Sequence, residues 1–161
     1  MEELIKLMQE EIHSEIKYLN YGGCAKFAYF LSRNLTKLNV PYEITLCDDN
    51  EEAIEEGFMG DYEVMHVLVY LPGIGHVDGY STRTKSELLE KYEEIRTDFY
   101  YLSDLEYYAF NGDWNTTYNT NQNELLESII NKYINEEKIT RVNLLQQKHE
   151  RISTSRKDVL V

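Results

Sequence analysis

The chain has 161 residues, 42% of them apolar, and a formal charge of −13 at pH 7. This acidic balance excludes a phosphate-backbone binder, which needs a Lys/Arg surface, and no apolar run reaches the ~18 residues of a membrane-spanning helix. One domain is expected, with residues 1–152 forming it and 153–161 a flexible tail.

In chain order, Leu4, Ile5, Met8, Ile12, Ile16 and Leu19 recur at three- and four-residue spacing and predict a helix over residues 3–19. His13 lies beside that stripe and reads as a rim histidine. Gly22 and Gly23 break the pattern. A second helix follows, with Cys24, Phe27, Ala28, Leu31, Leu35 and Leu38 on its apolar face, so that Cys24 stands at its first turn. Residues 42–47 alternate as a strand. Residues 48–63 carry eight acidic side chains and no Lys or Arg, which reads as a solvated loop or as a rim that attracts a basic segment. Residues 64–71 form a buried strand with His66, residues 72–75 a turn, and residues 76–80 a returning strand with His76 and Asp78. His66 and Asp78 share a face only if the connection has an odd number of residues or a bulge shifts the phase. A three-residue loop 72–74 sets them diagonally opposite, within side-chain reach.

Thr84 and Glu87 form a capping-box pattern ahead of a helix with Leu88, Leu89, Tyr92 and Ile95. The aromatic stretch from Phe99 to Phe110 fits either a strand or a short helix. Trp114 and Asn115 follow a turn. Asn121 and Glu124 cap a helix with Leu125, Leu126, Ile129, Ile130, Tyr133 and Ile134 on one face, and a further helical stretch runs from Ile139 to Ile152. The fold class is α+β: N-terminal helices packed on a small antiparallel sheet, with C-terminal helices, in the order α-α-β-β-β-α-α.

Cys24, His66 and Asp78 have the residue types of a nucleophile, a base and an orienting acid. A helix start supplies partial positive charge and free N–H groups that favour a thiolate. An imidazole accepts the thiol proton, and a carboxylate behind the ring fixes its tautomer. Donors for a developing oxyanion are the Cys24 N–H, the Asn20 side chain, or Tyr18 or Tyr21. Gly23 shapes that mouth, and Trp114 is a candidate rim or packing residue. Each residue also has a plain alternative reading: Cys24 as a small core residue, Asp78 as the first residue of an Asp-Gly turn, and His76 as a competing base. Cys24, Cys47, His66 and His76 lack the spacing of a zinc site, so no metal and no cofactor is expected.

Gly-Gly-Cys-x-x-Phe-Ala opening a helix, followed by a strand with His and a hairpin partner with Asp, resembles the papain-like superfamily. It is most similar to the transglutaminase-like branch, which includes arylamine N-acetyltransferase relatives. The resemblance covers residues ~20–80. It implies a helix packed on an antiparallel sheet, with Cys24 as nucleophile, His66 as base and Asp78 as orienter. Two functions follow as expectations. One is a cysteine-dependent acyl hydrolase or transferase (peptidase, deamidase or transglutaminase-like) acting on a protein or peptide substrate, a basic one among the candidates. The other is a non-catalytic acidic protein that occludes a basic partner. Cys24 and Cys47 are read as reduced thiols, and Met1-Glu2-Glu3-Leu4 is no signal peptide, which points to the cytoplasm.

Overall fold

The structure, a computed structural model, describes residues 1–48, 64–98, 101–111 and 117–157. The acidic stretch after Asp48 and the expected rim residue Trp114 lie outside them. Helix α1 spans Glu2–Glu15 and buries Ile5, Met8, Gln9 and Ile12. It is shorter than its apolar spacing predicts. Ile16 turns to extended backbone and Tyr18 adopts φ 59°. Ile16 and Leu19 still enter the core, but from the connecting turn rather than from a helix.

Helix α2, Cys24–Lys37, is the central element. Ala25, Phe27, Ala28, Tyr29, Phe30 and Leu31 are all buried, so the helix is enclosed on nearly every side rather than along one stripe. One side packs on β2 (Val64–Leu71). The other is covered by α4 (Leu102–Asn111) and α5 (Asn123–Tyr133). Polar contacts pin this cover. Tyr29 Oη donates to Glu106 Oε1 at 2.7 Å, and Arg33 pairs with Glu127.

The sheet is antiparallel, with β2 paired to β1 (Glu43–Asp48) on one side and β3 (Gly75–Val77) on the other. Two strands not expected from the sequence, β4 (Thr82–Arg83) and β5 (Glu94–Asp98), complete the order β4-β3-β2-β1-β5. Ile44, Leu46, Val67, Val69 and Val77 face the helices. Cys47 and Leu68 face the other way, against Leu88 and Tyr92.

The predicted capping box forms at α3 (Lys85–Leu89): Thr84 Oγ1 accepts from Glu87 N, and Glu87 Oε2 accepts from Thr84 N. The helix then stops at Leu89, and Ile95, expected on it, lies in β5 opposite Cys47. Tyr92 and Ile95 pack in the same cluster as Leu88, so a chain reversal produced the spacing of a helical stripe. The ambiguous aromatic stretch contributes α4. Ahead of α5, a 3-10 turn (Thr120–Gln122) is capped by Asn119, whose side chain accepts from Asn121 N, and Asn121 caps no helix itself. Helix α6, Glu136–Lys157, continues past Ser153. Among the described residues no helix is long and apolar enough to cross a membrane, and no group of three or more metal-binding side chains gathers.

Candidate active site

Cys24 is the first residue of α2, and the two glycines before it have different jobs. Gly22 sits at φ 106°, a conformation that L side chains resist. Gly23 is needed for space. A Cβ there would lie 2.7 Å from Leu19 Cδ1, 2.8 Å from Leu19 O and 2.8 Å from Tyr118 Cδ2. Gly23 N donates to Leu19 O, and Phe27 N donates to Gly23 O, so the turn runs directly into the helix.

His66 lies near the start of β2, on the sheet face that carries Leu68 and Tyr92. The body of α2 packs on the opposite face. Strands β2 and β3 are joined by the three residues 72–74, with Val69 opposite Val77 and Leu71 opposite Gly75. Continued by one residue, this register sets Asp78 opposite Leu68 and diagonal to His66. The expected contact follows: His66 Nε2 and Asp78 Oδ2 are 2.9 Å apart, with both side chains almost wholly buried. The Cys24 sulfur is near enough to the ring to favour its charged form.

Electrostatics reinforce this line of three groups. Burial works against the His66 charge. The Asp78 hydrogen bond and the nearby Cys24 sulfur outweigh it and hold the imidazole pKa up at about 9. Burial also opposes the Asp78 charge, but the His66 bond and charge and the N–H groups of Tyr80 and Ser81 together draw its carboxyl below the usual range. Tyr80 N and Ser81 N donate to Asp78 Oδ1 at 2.7 and 2.8 Å. The Asp-Gly turn reading of Asp78 therefore holds as well: one oxygen organises the turn while the other meets the histidine.

The competing base, His76, is engaged elsewhere. Its Nδ1 is 3.0 Å from Thr45 Oγ1 and its ring packs on Tyr70 at 4.8 Å. Burial, then the Lys85 charge, lowers its pKa. Cys47 is fully buried opposite His66, and burial, with Asp48 adding to it, pushes its thiol up to about 12.

Of the candidate oxyanion donors, Asn20 is half-buried and its Oδ1 has no hydrogen-bond partner. Tyr18 and Tyr21 are exposed and meet edge to face at 6.3 Å, while Tyr21 O accepts from Tyr118 N.

Several supporting residues escape a linear reading. Tyr92 lies parallel over the His66 ring at 6.3 Å. Gln9 Nε2 donates to Asp78 O at 3.0 Å. Tyr80 Oη donates to Ile16 O and accepts from Leu19 N. These contacts tie the Asp78 turn to α1 and to the segment that leads into Cys24. Only Tyr92 left a trace, as part of an apolar stripe. The others are polar side chains whose partners lie 61 or more positions away.

Two clefts flank the β2–β3 turn, of about 990 Å³ beside Met1, Gln9 and Ile74, and about 440 Å³ beside Tyr70, His76 and Lys85. Neither lining includes Cys24 or His66. Compared with known protein families, with curated proteins and with solved structures, the chain matches none.

Proposed function

We propose that this protein is a cysteine-dependent acyl hydrolase or transferase, of papain-like, transglutaminase-like architecture. The observation that carries the reading is the buried contact of His66 Nε2 with Asp78 Oδ2, on a ring whose charge the nearby Cys24 sulfur also favours. A helix mouth bearing the cysteine against an antiparallel sheet bearing the histidine supports it further.

In this mechanism the proton released by Cys24 resides on His66, whose charge Asp78 sustains. Sulfur attacks an acyl carbonyl, the C–S bond forms, and the carbonyl π pair moves to oxygen. Collapse expels the leaving amine, alcohol or thiol, which takes the proton from His66. Water or an amine then attacks the thioester and gives its proton to His66, and sulfur departs as thiolate. Peptide cleavage, deamidation and acyl transfer share these steps.

The test is alkylation of the native protein by iodoacetamide, with the buried Cys47 as internal control. Cys24 is expected to label near pH 6.5, and His66→Ala to slow it on the order of tenfold or more. A Cys24 that stays inert from pH 5 to 9 in the native protein, yet labels after unfolding, decides against this chemistry. The second reading, an acidic scaffold that occludes a basic partner, is favoured by one observation: Cys24 and His66 are each only 3% exposed. The charge of −13 fits such a role.

A further inference from the structure

The cleft of about 440 Å³ beside Tyr70, His76 and Lys85 is separate from the candidate active site. Tyr70 stands on β2 roughly 13 Å beyond His66. Leu68, packed on Leu88 and Tyr92, lies between them.

His76 borders this cleft and is 9% exposed. Its Nδ1 meets Thr45 Oγ1 at 3.0 Å, and among the described residues this is the one hydrogen bond of either side chain. Thr45 is itself buried, so a hydroxyl that gave its proton to nothing would be costly. The hydroxyl therefore donates to Nδ1, and the neutral ring carries its proton on Nε2. Burial, then the Lys85 charge, lowers the His76 pKa and favours that neutral form. Nε2 has no partner among the described residues, yet it is not sealed from solvent. Its N–H opens into the cleft that the ring borders.

The rest of the lining suits a flat monoanion. Lys85 and Arg96 stand there against Glu43, an excess of positive charge in a chain of net charge −13. Arg96 Nε is held by Asp48 at 2.8 Å, so Lys85 is the cation a ligand would meet. The Tyr70 and His76 rings, 4.8 Å apart, make an aromatic wall, and Ile74 and Ile95 add apolar surface. One N–H donor and one ammonium match the two oxygens of a carboxylate. Glu43, whose charge reaches His76, disfavours a dianion such as phosphate.

We infer that this cleft is a second binding site, which takes a small planar carboxylate. The carboxylate accepts from His76 Nε2–H and pairs with Lys85, while the flat body of the ligand lies against Tyr70. The inference does not rest on Cys24 being a nucleophile.

The test is an NMR titration of the isotope-labelled full-length protein at pH 7 with benzoate and with its neutral isostere benzamide. Before ligand is added, the imidazole nitrogens of His76 are expected to show the proton on Nε2. Benzoate is expected to shift the His76 and Lys85 signals with a dissociation constant on the order of 5 mM, in keeping with so small a ligand. Benzamide should bind more weakly. Lys85→Met, at an exposed position, should weaken benzoate by roughly threefold and leave benzamide unchanged. His76→Phe, which keeps a ring on the wall and removes the donor, should weaken both, with thermal melting to confirm that each variant is folded. A proton found on Nδ1, benzoate shifts absent from His76, equal binding of the two probes, or a folded Lys85→Met that binds benzoate as before would each overturn the site.

Discussion

His66 is a histidine whose neighbours overrule its solvation. Its pKa stands at about 9 in the folded chain, against an ordinary value of 6.5. Because the folded value is the higher one, the pair stabilises the fold fully below about pH 6.5 and loses that contribution as the pH rises through 9. Asp78 has the opposite sign: its lowered pKa contributes above the ordinary carboxylate value of 3.8 and is lost as the pH falls below it. We therefore expect the melting-temperature gap between the wild type and His66→Gln to be widest near pH 6 and to shrink steadily toward pH 9.5. Scanning calorimetry across that range checks it, and a gap independent of pH would mean that the ring is neutral in the fold.

At the level of elements, the segment between α1 and α2 is held from outside. Tyr80 reaches it with one hydroxyl, donating to Ile16 O at 2.9 Å and accepting from Leu19 N at 3.0 Å. Tyr80→Phe removes both bonds at a partly buried position and leaves an amide and a carbonyl without this partner. A loss of about 1–3 kcal/mol is expected by urea denaturation. That clamp was invisible in the sequence, where Tyr80 is one of 14 tyrosines. The residues that carry a local rule were legible. Gly22 and Gly23 marked the break before Cys24, Thr84 and Glu87 formed their box, and the parity of His66 and Asp78 followed from the loop length. The elements that misled were those decided by tertiary contact. Ile95 continued a helical spacing but pairs in β5 across from Cys47, and Ile16 and Leu19 continued α1 on paper while occupying a turn. A periodicity count cannot tell a helix from a chain that reverses and buries the same face.

For the molecule as a whole, charge is the least balanced quantity. Exposed pairs such as Lys132 with Glu11, 2.5 Å apart, contribute little and weaken in salt. Repulsion among the remaining acids sums over the surface and is screened in the same way. With a net charge of −13 the repulsion outweighs the pairs. The melting temperature should therefore rise as sodium chloride increases from about 10 to about 150 mM, and a fall would mean that the surface pairs dominate. The contacts around Asp78 bear on how the chain reaches this state. Gln9 meets Asp78 across 69 positions, and Leu19 meets Tyr80 across 61. Such distant partners come together only after the entropy of closing a long loop has been overcome, so they belong to the slow steps of folding. During synthesis Cys24 leaves the ribosome long before His66, and the two can meet only once the later strands have docked.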